Sequence, residues 1–184
     1  MKVLLVWPCA RNIELNSLLP LGLGYLAANL PKKYNVEMCD AVLDRLSIVQ
    51  IMDKVKHIKP DVIGVSVWNF NLISAREIIN SIKKKFPQIT MVIGGPAPSG
   101  YQVNIFESID VDYAFVGEAE ESFSQFLQYF ENDCLVFENK KKIEGLIYKD
   151  ADGNVVFNAP KWEELEKIKN CDYEFINLNK YLKK

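Results

Sequence analysis

The chain is poor in the residues that build metal centres and disulfide frameworks. Its 184 residues hold one histidine and four cysteines, at 9, 39, 134 and 171, with no CxxC spacing. That pattern carries no zinc or iron–sulfur signature, and scattered thiols of this kind are expected in a reducing cytoplasm. Charge of one sign is also missing: 22 basic and 24 acidic residues leave a net charge of −2. Neither nucleic acid nor an anionic membrane is therefore expected as a partner. The basic runs Lys83–Lys85 and Lys140–Lys142 read as a helix end and a solvated turn. No run approaches the ~20 apolar residues of a membrane-spanning helix. The opening Val3–Trp7 is too short for a secretory signal, and Pro8 and Arg11 interrupt it.

What is present is a repeated alternation of strand and helix patterns. Pro60-Asp61-Val62-Ile63-Gly64-Val65-Ser66-Val67-Trp68-Asn69 is the centre of it. Residues 62 to 67 are apolar or small on both faces, as in a parallel strand between two helix layers. Lys2–Trp7, Asn35–Cys39, Ile89–Ile93 and Tyr113–Val116 read as further strands. Helices are expected over 21–30, 47–59, 73–86 and 122–131, with a short turn or helix near 103–108. Ile48, Ile51, Met52, Val55 and Ile58 recur at helical spacing, as do Ile78, Ile79, Ile82 and Phe86. Alternation with short connections predicts an α/β, doubly wound, five-stranded parallel sheet of order 2-1-3-4-5. Residues 143–149, Asp150-Ala151-Asp152-Gly153-Asn154 and 155–158 add a β-hairpin pattern. We divide the chain into a Rossmann-like domain over 1–134, a hairpin extension over 135–160 and an extended tail or linker over 161–184, with one short helical piece.

In an open parallel sheet, ligands bind beyond the carboxyl ends of the strands. Four loops lie there: Pro8–Pro20, Ser66–Asn71, Gly94–Gly100 and Gly117–Glu121. A loop as long as the first tends to be functional in a compact domain. The candidate site residues are Pro8, Cys9, Leu21, Gly22, Ser66, Val67, Trp68, Asn69, Gly94, Gly95, Pro96, Gly117 and Glu118. Gly22 and Gly24 are poor helix formers and suit a helix start that approaches a strand or ligand closely. Gly94-Gly95 brings backbone near a bulky ligand, or is a bare structural turn.

Taken in order, these pieces resemble the cobalamin-binding domain that precedes the catalytic barrel of radical S-adenosylmethionine enzymes. The matching stretches are Leu19–Ala27, Pro60–Ser66, Gly94-Gly95-Pro96, Gly117-Glu118-Ala119-Glu120 and Ile143–Tyr148, and the tail from Asp172-Tyr173 to Tyr181 resembles the connector into the radical domain. The resemblance implies a corrin over the carboxyl edge of the sheet, with its nucleotide tail reaching between strands one and three near Ser66. It implies that Gly94-Gly95 lets the tail pass. Glu118 either accepts hydrogen bonds from ligand amides or caps the next helix. Trp68 lies against the corrin face or plugs the core. Cys9 is a thiolate at the mouth or a small packed residue. No DxHxxG loop is present, and His57 sits in a helix before Pro60, so no histidine ligand to cobalt is expected. The CxxxCxxC motif of the radical domain is absent too. The 4Fe-4S cluster and S-adenosylmethionine thus belong to a downstream domain, and this chain by itself is not expected to be catalytic. The implied function is a cobalamin module of a radical enzyme of methyltransferase or related type. A cofactor-free docking or substrate-recognition domain of the same enzyme type is the other reading.

Other users of this fold fit less well. Pro8–Glu14 lacks the hydroxyl-rich phosphate loop of a flavodoxin. Trp7-Pro8 and Ser66 stand where a receiver domain carries its acidic residues. Gly22-Leu23-Gly24-Tyr25-Leu26-Ala27 approaches GxGxxG but lies too far after strand one for a dinucleotide fold.

Overall fold

The computed structural model describes residues 1–9, 18–161 and 165–183. Five parallel strands form the body of the sheet: β1 (Lys2–Trp7), β2 (Asn35–Asp40), β3 (Val62–Ser66), β4 (Thr90–Gly94) and β5 (Tyr113–Phe115). They follow the expected order 2-1-3-4-5. The sheet itself has seven strands rather than five. The hairpin, β6 (Leu146–Lys149) and β7 (Val155–Phe157), joins it as an antiparallel edge, with Ala114 opposite Ile147.

Among the described residues, eight α-helical segments accompany the strands: α1 (Leu21–Asn29), α2 (Ile48–Ile58), α3 (Leu72–Lys85), α4 (Pro96–Tyr101), α5 (Ile105–Ser108), α6 (Glu120–Glu131), α7 (Phe137–Lys140) and α8 (Leu178–Leu182). The stretch expected as a loop over 94–100 is instead helical from Pro96, since proline at the first helical position needs no amide donor. The expected loop over 66–71 also contains one helical turn, Asn69–Asn71.

Alternation along each strand divides the core in two. Leu4, Val6, Ile63, Val65, Met91 and Ile93 face Ile51 and Val55 of α2 and Ile78, Ile79 and Ile82 of α3. Val3, Leu5, Val62, Val92 and Phe115 face Leu23 of α1 and Phe123, Phe126 and Leu127 of α6. Both faces of β3 are thus covered, which is why its sequence shows no polar alternation. Ser47 opens α2 with a capping box: the Gln50 amide donates to Ser47 Oγ at 3.4 Å, and the Ser47 amide donates to Gln50 Oε1 at 2.9 Å. Lys59 closes that helix in a left-handed conformation, just before Pro60.

The tail docks on the body. Lys169 and Asn29 exchange two hydrogen bonds, of 2.9 and 3.2 Å. The Asp172 amide donates to the Gly24 carbonyl at 3.1 Å. Cys171 and Ile176 are buried, and Tyr181 donates its hydroxyl hydrogen to Asp40 at the carboxyl end of β2. Gly24 is what permits this closeness: a Cβ there would stand 2.4 Å from Cys171 Sγ and 3.0 Å from Ile176 Cγ2.

Candidate functional site at the carboxyl edge of the sheet

A cavity of about 220 Å³ opens at the carboxyl edge between the sheet, α1 and α6. Its floor is a row across three strands, Leu5 opposite Gly64 and Gly64 opposite Val92. The next row toward the edge is Ser66 opposite Gly94. Leu23 and Leu26 of α1 form one wall, and Phe115 of β5 with Phe123 of α6 the other. The slot exists because side chains are small or missing where larger ones would close it. A Cβ built on Gly22 or on Gly94 meets no atom within 4 Å. Both residues line the cavity, so a larger side chain at either would occupy it.

Of the candidate residues, the cavity gathers Gly22, Ser66, Gly94, Gly95, Gly117 and Glu118. Gly95 serves the backbone. Its φ of +100° and the approach of the Val67 carbonyl, 3.0 Å from a Cβ, both demand glycine. Val67 itself is buried in the core on the opposite face, and its carbonyl accepts from the Ala97 amide. Pro96 is exposed where α4 starts. Leu21 is exposed one residue before Gly22, and Asn69 is exposed beside Trp68. Pro8 is buried and Cys9 half-buried at the end of β1. The rest of that loop, residues 10–17 with Arg11 and Glu14, lies outside the described residues.

Trp68 neither plugs the core nor stands free of it. It is 39% exposed, meets Trp7 edge-on at 6.2 Å between centroids, and lies tilted on Phe70 at 5.5 Å. The three rings form one cluster where the chain leaves β1 and β3, with Trp7 buried beneath it. His57 is exposed in the last turn of α2, which leads to the opposite, amino edge of the sheet.

Three organising residues escape the sequence reading. Asn71 is fully buried; its Oδ1 accepts from the Trp68 amide at 2.8 Å, and its Nδ2 donates to the carbonyls of Ser66 (3.4 Å) and Pro8 (3.5 Å). One amide thereby ties the ends of β1 and β3 to the aromatic turn. Ser99 accepts from the Gly117 amide at 3.1 Å and donates to the Gly95 carbonyl at 3.3 Å, joining two rim loops. Asp40 accepts from the amides of Leu43 (2.8 Å) and Val42 (3.1 Å) and from Tyr181. Burial pushes the Asp40 carboxyl above its ordinary range, against the opposing pull of those hydrogen bonds. Burial and the Asp40 charge raise the Tyr181 phenol strongly, and burial pushes the Cys39 thiol up to about 11. An Asp at the end of β2 and an Asn just before α3 are the local signals for Asp40 and Asn71, and many solvated turns share them.

The B12 binding domain family matches residues 15–127, more than half of the chain. Among curated proteins, the chain is similar to an uncharacterized methyltransferase of Pyrococcus horikoshii, at 24% identity over 98% of this chain and 40% of that protein. Among solved structures it is similar to the cobalamin-dependent S-adenosylmethionine radical enzyme OxsB with aqua-cobalamin and S-adenosylmethionine bound. That likeness has a TM-score of 0.81 and 23% identity, over 99% of this chain and 25% of that one. It is also similar to the radical S-adenosylmethionine methyltransferase TsrM of Kitasatospora setae with cobalamin and a [4Fe-4S] cluster bound. There the TM-score is 0.73 and the identity 21%, over 92% of this chain and 31% of that one. The chain therefore spans less than half the length of each of these proteins. Its fold, its cavity and the family match agree, and the chain belongs to the B12-binding domain family.

Proposed function

We propose that this chain is the cobalamin-binding module of a radical S-adenosylmethionine enzyme of methyltransferase type, and that the slot between Gly22 and Gly94 takes the nucleotide tail of cobalamin. The observation that carries this is the pair of open Cβ positions, which leave a narrow apolar cradle at the carboxyl edge. At about 220 Å³ the cradle is smaller than a site for a whole drug-sized ligand. It suits the end of a nucleotide tail, with the macrocycle outside over the edge. Ser66 would offer its hydroxyl to the tail, and Gly95 would let backbone follow it. The Trp68–Phe70 cluster would lie under the corrin. Glu118, exposed at the mouth, would accept hydrogen bonds from corrin amides. Cobalamin, when bound, supplies a cobalt that accepts and donates a methyl group. The radical partner domain, with its cluster and S-adenosylmethionine, would lie outside this chain, as the names and lengths of the relatives support.

The test is direct. The purified chain is mixed with hydroxocobalamin, freed of excess ligand by gel filtration, and its visible spectrum recorded. Corrin absorbance is expected to travel with the protein and to be lost in Gly94→Val, a change that sets a side chain into the slot from a position whose Cβ meets no neighbour. Gly95→Val is unsuitable, because its strain would confound folding with binding. A colourless peak from folded protein at high ligand excess would overturn the proposal in favour of a cofactor-free docking domain.

A further inference from the structure

We infer that the slot discriminates among corrinoids by the polarity of the base that ends the nucleotide tail, favouring a benzimidazole over a purine. This rests on the proposed function and deepens it.

Polarity in the slot is graded. Its polar lining side chains are Ser66, Glu118 and Glu120. All three are placed on the carboxyl-edge side of the floor row: Ser66 is the last residue of β3, and the two glutamates follow β5 at the start of α6, with one Glu120 oxygen buried there. One row deeper the floor is Leu5, Gly64 and Val92, closed by Phe115 and Phe123. All of these are buried. The peptide groups of the floor are committed to the parallel ladder of β1, β3 and β4, so they offer nothing to a ligand. The innermost part of any occupant therefore meets hydrocarbon alone.

A benzimidazole enters such a gradient well. Its outer six-membered ring presents only carbon and hydrogen, while its ring nitrogens and the sugar stay near the Ser66 rim. Adenine has the same bicyclic outline, but its six-membered ring carries two ring nitrogens and an amino group. Seated to the same depth, these would lose water and gain no partner. Each buried group left unmatched weakens binding by about tenfold or more.

The experiment compares three corrinoids on the unaltered chain by titration calorimetry: hydroxocobalamin, its adenine-tailed analogue, and cobinamide, which has no base. Cobalamin is expected to bind at least about tenfold more tightly than the adenine analogue. Val92→Thr, which sets a hydroxyl into the floor at nearly constant volume, is expected to narrow that ratio. Equal affinity for the two tailed corrinoids overturns the inference and leaves the module intact. Cobinamide binding as tightly as cobalamin also overturns it, because the slot would then be idle. Failure of all three to bind the folded chain overturns the proposed function itself.

Discussion

Removing one oxygen, in Tyr181→Phe, tests whether the tail is anchored or merely adjacent. The lost hydroxyl donates to Asp40, a nearly fully buried carboxylate. A hydrogen bond to a charged group contributes about 1.5–3 kcal/mol, and solvent has little access here to replace it. For a chain of this size that corresponds to a fall in melting temperature of about 4–10 °C at pH 7. The sign of the pH dependence follows from linkage. Asp40 titrates above its ordinary 3.8 in the folded chain because it is buried. The Tyr181 hydroxyl opposes that rise by stabilising the ionised form, so the variant raises the folded pKa further. Between 3.8 and that raised value the folded variant holds more proton than the unfolded chain, and its stability grows as pH falls. The deficit of the variant is thus complete above the folded pKa and shrinks as pH approaches 4. Thermal melts at pH 7 and pH 4.5, with amide exchange at Asp172 and Ile176, read both effects. A variant that melts with the wild type at pH 7, or whose deficit is the same at both pH values, would refute the anchoring role.

Gly24→Ala is expected to dislodge the tail while sparing the sheet, since the new methyl overlaps Cys171 Sγ and crowds Ile176; limited proteolysis should then cut within 169–182 far faster than in the wild type. Asn71→Ala leaves the Trp68 amide and the carbonyls of Ser66 and Pro8 without their shared partner, at a cost of about 2–3 kcal/mol read by urea melts.

Much of this architecture is legible in the sequence, and the parts that are not share a cause. The run Val62–Val67 shows its double burial directly, and the order of the parallel strands is the one expected for five alternating strand–helix units. Ile51, Met52, Val55 and Ile58 mark the face of α2 just as plainly, because packing repeats with the helix period. Ser66, Gly94 and Gly117, which the strand ends single out, and Gly22 at the start of α1 all line the cavity. The attachment of β6 to β5 is not legible, since only three residues pair and nothing local specifies the partner. The helix from Pro96 is hidden by three glycines and two prolines in the seven residues 94–100, a composition that reads as loop. Tail docking is hidden for another reason: Cys171, Ile176 and Tyr181 fall five residues apart, a spacing that marks one face of neither a helix nor a strand, and each finds its partner about 140 or more residues earlier. Gly24 is the clearest case. A helical glycine suggested closeness to a strand or ligand, whereas the close neighbour is the tail.

The tail also has a mechanical meaning. It leaves the body near Pro160, beside β7, and is fastened again at Asp40 on β2, the far edge of a seven-stranded sheet. Six strand spacings separate those edges, about 29 Å. From Lys169 to Ile176 it lies along α1, whose inner side forms one wall of the slot. Tension applied at the carboxyl-terminal end would therefore not shear the sheet, whose strands share load across many parallel bonds. It would peel a strap, beginning at Tyr181 and reaching Ile176, then Cys171, then Asn29, one attachment at a time. Once Tyr181 has come away from β2, the next rigid element to feel the pull would be α1, so a force transmitted through the tail then arrives at the wall of the slot.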